Sequence, residues 1–154
     1  MAFNGMAMPQ TIMPMELHVF LRDAAIPTRE EWQAGITDQG FEVTLDTTLD
    51  VRHHTGFSPA VCWCKKSGFE FDLRPAVDIA SSYNGVSERI GARNLAVSFH
   101  WRGNVQESVI VYIASSVLAK LADGILYYPQ KNHFSASNEA LAMARRLLAL
   151  TELH

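Results

Sequence analysis

Acid, base and thiol side chains recur at short spacings in the middle of the chain. Glu70 and Asp72 stand two apart in Phe69-Glu70-Phe71-Asp72-Leu73-Arg74. On a strand that spacing points both carboxylates the same way at roughly 7 Å. Such a pair divides into general acid and general base when burial separates the two pKa values, and His100, on a later strand, is the candidate third member. Arg74 stands close enough to neutralise one of the acids, and a plain solvated strand face carries more weight than catalysis. The second group is Cys62-Trp63-Cys64, with His53 and His54 upstream, all of which are zinc-ligand types. Cys-x-Cys within a strand holds its sulfurs about 7 Å apart, and no second cysteine pair exists to complete a site. The expectation is therefore no metal and two buried, inert thiols at Cys62 and Cys64. No flanking motif marks either as a nucleophile.

Other chemistries find less support. Gly85 and Gly91 are isolated, and Gly103-Asn104 lacks the companion glycines and lysine of a phosphate loop, so no nucleotide or other cofactor is expected. Trp63, Phe69, Phe71, Phe99 and Trp101 resemble a stacking platform in number, but without surplus lysine or arginine they are better explained as core, and nucleic acid is not an expected partner. His53, His54 and Gly56 lie on a long polar stretch from Asp46 to Pro59, read as a loop that lines a pocket or holds a partner.

These residues need elements to position them. Glu16 to Leu21 alternates with period two, as a half-buried strand does. Thr28-Arg29-Glu30-Glu31 is a capping box that opens a helix carrying Trp32 and Ile36 on one face and ending near Gly40. Phe41 to Leu45 alternates as a second strand. Ala60 to Lys65 and Phe69 to Arg74 read as a hairpin turned by Lys65-Lys66-Ser67-Gly68. Pro75 to Asn94 has no clear period and is left unassigned. Leu95 to Trp101 is another strand, and Val105 to Asp123 a long apolar helix that Gly124 turns into a strand, Ile125 to Tyr128, stopped by Pro129. Ser135 is the expected N-cap of a last helix with Leu141, Ala144 and Leu148 on its inner face.

The order βαβββ–βαβα predicts an α+β fold: a single mixed sheet with helices packed on one face and a ferredoxin-like flavour. If the aromatic and aliphatic positions face the helices, the opposite sheet face presents His18, Phe20, Glu42, Thr44, Glu70, Asp72, Arg74, Ser98, His100 and Arg102. Glu42, Arg74, Arg102, His53 and His54 are the candidate binding residues.

At 154 residues, 48% hydrophobic, 19% charged and net −3, one domain over 16–154 is expected, preceded by a loose methionine-rich tail over 1–15. The charge forms no basic block. Two cysteines fit a reducing compartment, and the long apolar run, broken by Ser115, Ser116 and Lys120, is too interrupted for a membrane span. A soluble, cytoplasmic protein is expected.

The closing stretch, Ala122-Asp123-Gly124-Ile125-Leu126-Tyr127-Tyr128-Pro129-Gln130 followed by Ser135-Ala136-Ser137-Asn138-Glu139-Ala140-Leu141, resembles the closing strand and helix of small uncharacterised bacterial α+β proteins, some of them similar to immunity partners of secreted toxins. The resemblance covers the last third, carries no catalytic motif, and implies a bacterial, cytoplasmic protein-binding module. The expectation is accordingly a non-enzymatic, immunity-like binder that uses the polar sheet face or the 46–59 loop. The alternatives are a small hydrolase or transferase built on Glu70, Asp72 and His100, and a small-metabolite binder with a pocket between the sheet and Pro75–Asn94.

Overall fold

A computed structural model describes residues 15–151; the expected tail, apart from Met15, lies outside the described residues. The elements in chain order are β1 (Met15–Leu21), α1 (Arg29–Asp38), β2 (Val43–Leu45), β3 (Phe57–Cys62), β4 (Lys65–Pro75), α2 (Ala76–Ala80), α3 (Val86–Ile90), β5 (Leu95–Trp101), α4 (Val105–Ala122), β6 (Ile125–Tyr128), β7 (His133–Ala136) and α5 (Ser137–Thr151). The protein has an α+β fold around one seven-stranded sheet in the order β2-β3-β4-β5-β1-β6-β7.

Every neighbouring pair in that sheet is antiparallel. The two strand-helix-strand units do join parallel strands, but those strands never touch. β1 sits between β5 and β6, and three strands separate β1 from β2. The first of these arrangements is the split βαβ unit of ferredoxin-like folds.

Helix α4 is the middle of the core. Asn104 caps it by accepting the Glu107 N–H at 2.8 Å, and Asp123 ends it in the left-handed region at φ 52°. By length and composition it could cross a membrane. Here Val109, Ile110, Val111, Ile113, Ala114, Val117 and Leu118 are all buried, with α1 and α5 beside the helix and the sheet beneath. Gly124 follows because the chain returns to the sheet without clearance: a Cβ there would lie 2.9 Å from the Phe20 carbonyl oxygen and 3.0 Å from a Val19 methyl. The capping box opening α1 forms as expected, with Thr28 Oγ1 accepting from Glu31 N at 3.1 Å and Glu31 Oε1 accepting from Thr28 N at 2.8 Å.

Four features depart from expectation. The hairpin turns at Trp63-Cys64, where both residues take positive φ (49° and 70°) and Cys62 pairs with Lys65. Two successive positive φ values match the twist of a two-residue hairpin, but no glycine or asparagine advertises it. Gly68 lies inside β4 instead, where the Phe57 ring crosses it: an added Cβ would sit 2.4 Å from Phe57 Cζ. The 46–59 stretch gives up Phe57–Pro59 to β3 and buries Leu49 and Val51, so it is not a purely solvated loop. His133–Ala136 forms an edge strand, which moves the start of α5 from Ser135 to Ser137. Finally, the unassigned 76–94 stretch contains α2 and α3. These pack Ala76, Ile79, Ala80, Val86 and Ile90 on Phe20, Ala96 and Tyr127, covering part of the sheet face opposite the three long helices.

The exposed edge of β2 is closed by side chains. Gln33 of α1 donates to Val43 O at 2.8 Å and accepts from Leu45 N at 2.7 Å, and Arg29 donates to Leu45 O at 2.7 Å. One amide group thus takes the place of a neighbouring strand. Gln33→Leu is expected to cost about 1–3 kcal/mol by leaving those backbone groups unpaired, and to raise concentration-dependent light scattering. Urea denaturation and static scattering check both effects.

Candidate functional site

The outer sheet face is built from β3, β4, β5 and β1, whose register aligns its polar residues in rows. One row runs Phe57, Glu70, His100, Glu16; the next runs Asp72, Ser98, His18, Tyr127; a third runs Arg74, Ala96, Phe20, Ile125. The α2–α3 segment covers the row ends that carry Phe20, Ala96 and Tyr127. What stays open is the half nearer β3, with Phe57 55% and Val61 38% exposed.

His18 marks the seam between the two halves. It is buried at 1% exposure, with Nδ1 2.8 Å from Ser98 Oγ and Nε2 3.6 Å from Glu16 Oε2. Burial, with the His100 and Arg74 charges adding to it and Asp72 opposing, pushes the His18 pKa down to about 4. The ring is therefore neutral near pH 7, and the Glu16 contact is not an ion pair. The Ser98 hydroxyl pairs with Nδ1, whereas Nε2 is buried with no hydrogen-bond partner among the described residues, the Glu16 carboxylate being too far to accept from it. Serine, imidazole and carboxylate thus stand in the order of a nucleophile relay, but Ser98 is fully buried and no substrate carbonyl can reach it. The group is a buried polar network.

Asp72 is held by Arg74, whose Nε and Nη2 donate to its carboxylate at 3.0 and 3.3 Å; this contact raises the Arg74 pKa further. His100 has Glu16 as its neighbour, Nδ1 to Oε2 at 4.0 Å. Among the described residues no hydrogen bond or ion pair joins His100 to Glu70 or to Asp72, although Glu70 and His100 face each other across β4 and β5.

Glu70 and His100 do meet at a groove of about 210 Å³ that Phe57, Phe69, Trp101, Arg102 and Glu107 complete. Its floor is rigid. The Trp101 indole donates to Ser108 Oγ at 2.8 Å, and the Arg102 backbone N–H donates to Glu107 Oε1 at 3.1 Å. Phe57 rests across Gly68. Neither the Glu70 carboxylate nor the Arg102 guanidinium has a partner among the described residues, and both are exposed.

The remaining candidates lie elsewhere. His53 bonds Asp50 at 2.9 Å in full solvent and holds that carboxyl below its usual range. His54 stacks on Phe71 with ring centroids 4.5 Å apart and bonds Gly56 O at 2.8 Å, so it closes one end of the core. Glu42 precedes β2, where its carbonyl accepts the Trp63 N–H. Arg74 is taken up by Asp72. None of these four lines the groove. Cys62 is buried, which pushes its thiol pKa up to about 11, whereas Cys64 sits exposed on the turn, so only one of the two expected buried thiols is buried. No group of three or more histidine, cysteine or acidic residues is placed to hold a metal ion among the described residues.

Phe57 and Glu107 are the groove members that sequence reasoning missed. Phe57 lay in the stretch read as loop, and its signal was the alternation of Phe57, Pro59 and Val61 against Ser58, Ala60 and Cys62. No protein-family model, curated protein or solved structure matches the chain.

Proposed function

We propose that this protein is a non-enzymatic binding module whose target is another protein, held on the open half of the outer sheet face. The supporting observation is the groove. It combines an exposed aromatic ring resting over Gly68, an anion at Glu70 and a cation at Arg102, with both charges lacking partners among the described residues. Mixed sign around an apolar anchor suits a folded protein surface and ill suits a polyanion, which would be repelled by Glu70 and Glu107. Of the side chains suited to acid-base chemistry, Asp72 is held by Arg74 and His18 by Ser98, and no hydrogen bond or ion pair among the described residues joins His100 to Glu70 as a working pair. A partner of this kind presents a basic group to Glu70, an acidic group to Arg102 and an apolar surface to Phe57.

A large aromatic near the centre of an interface commonly carries 2 kcal/mol or more of binding, roughly a thirtyfold change in affinity. Phe57→Asp should therefore abolish retention of the partner from lysate of the native cells, while Leu150→Asp, on the exposed end of α5, leaves it intact. Quantitative affinity purification of the two variants beside the wild type checks this. Equal retention by Phe57→Asp, or no protein retained by the wild type, would count against the assignment.

A further inference from the structure

On the helix side of the sheet, away from the outer face, lies a second cavity of about 170 Å³ between α4, α5 and the β6–β7 hairpin. Its apolar walls are Tyr112 and Tyr128, with ring centroids 6.1 Å apart, and Met143; His133 stacks on Tyr128 at 6.0 Å. Lys131 and Arg146 bring cationic groups to the cavity, with the His133 ring beside them, against one carboxylate, Glu139. Glu139 and Arg146 stand seven apart on α5, on the same face as Met143 between them. Glu139 already accepts the Ala136 backbone N–H at 3.1 Å, where it closes the start of α5.

One feature marks the cavity as more than a surface dent: both tyrosine rings are half-buried against the core, and neither hydroxyl has a hydrogen-bond partner among the described residues, so both are free to donate to a ligand. Burial raises the pKa of both, and the Tyr112 phenol and the Glu139 carboxylate beside Tyr128 raise that residue's further, so both stay protonated and available as donors.

We propose that this cavity binds a compact tetrahedral oxyanion, inorganic phosphate or the phosphoryl group of a small phosphomonoester, with Lys131 and Arg146 supplying charge and the Tyr112 and Tyr128 hydroxyls donating hydrogen bonds. Donors carried by two helices and a hairpin line the one cavity, which suits an anion with oxygens arranged in three dimensions. The guanidinium of Arg146 and the ammonium of Lys131 outnumber Glu139, so the local field favours an anion.

The test is a titration of the full chain, followed by calorimetry and by phosphorus NMR line width, with inorganic phosphate in one arm and phenyl phosphate in the other. Saturable binding in either arm is expected, weakened about tenfold or more by Arg146→Ala and by Lys131→Ala. Tyr128→Phe should weaken it several-fold, and Glu139→Gln, which keeps an acceptor for Ala136, should tighten it. Phe57→Asp should leave it unchanged, which separates this site from the protein-binding face. Absence of saturable binding in both arms, affinity unchanged in Arg146→Ala and Lys131→Ala with unchanged circular dichroism, or weaker binding in Glu139→Gln would overturn the proposal.

Discussion

Trp32→Ala should destabilise the protein by about 3–5 kcal/mol in urea denaturation, the largest loss expected of any single side chain here. Trp32 projects from α1 into the space between that helix and the sheet and is fully buried. Phe69, Phe71 and Phe99 meet it edge-on, at centroid distances of 6.4, 5.8 and 6.4 Å and interplanar angles of 64°, 86° and 76°. Its indole N–H donates to the Ala114 carbonyl of α4 at 2.9 Å. One residue thus ties α1, α4, β4 and β5 together, and its removal leaves a cavity ringed by three aromatic rings. With a total stability on the order of 5–15 kcal/mol, such a loss leaves a marginal fold. Trp32→Phe keeps most of the volume and should lose less than half as much, since the Ala114 carbonyl retains its place in the helix and the net worth of the indole bond is about 1 kcal/mol. If the phenylalanine variant were as unstable as the alanine variant, packing would not be the reason.

Stability should fall by about 3 kcal/mol between pH 7 and pH 4 through His18 alone. Its folded pKa of about 4 lies below the ordinary 6.5, and each unit of separation is worth 1.36 kcal/mol. The unfolded chain binds more protons than the native state between those two values, so stability rises with pH across that window and is complete above it. Protonation at low pH forces a charge between Ser98, Glu16, His100 and Arg74 at a site without solvent. Carboxylates also titrate toward pH 4, so the diagnostic range is pH 5 to 6.5, where the slope should be about 1.2 kcal/mol per unit near pH 5 and fall to about 0.7 at pH 6.5. His18→Gln, which cannot take up a proton, should flatten that slope. Unfolding midpoints measured at half-unit intervals for both proteins decide it. An unchanged slope in the variant would mean that another group titrates.

The elements written most plainly in the sequence are those with local punctuation. The Thr28 capping box, the Asn104 start of α4, and the Gly124 and Pro129 limits of β6 all act within a few residues, and each lies within a residue or two of its expected place. Period-two alternation correctly separated Glu70, Asp72, Ser98 and His100 from Phe69, Phe71, Val97 and Phe99. Illegible were features decided by distant contacts. Trp63 and Cys64 accept left-handed backbone because Cys62 pairs with Lys65 and the strands behind them are long, a gain no propensity records. The α2–α3 segment shows little period because each helix has only five residues, and its partners, Phe20 and Tyr127, come from two remote strands. That cover divides the outer face into a closed and an open half. His18 therefore looked like a surface group and is a buried one, whereas Phe57 looked like loop and stands exposed on a strand.

The same division concentrates the proposed binding surface. Edge pairing at β2 is blocked by Gln33 and Arg29, so the proposed partner would meet the face rather than that edge. Site-specific photo-crosslinking in the native cells tests this most directly, with a photoreactive residue at Val61 on the open half or at Val77 on the covering segment, both exposed. The account predicts a single cross-linked protein from position 61, lost when Phe57→Asp is added, and none from position 77. The same product from both positions, a product from 77 alone, a cross-link only to a second copy of this chain, or no product from 61 would contradict it.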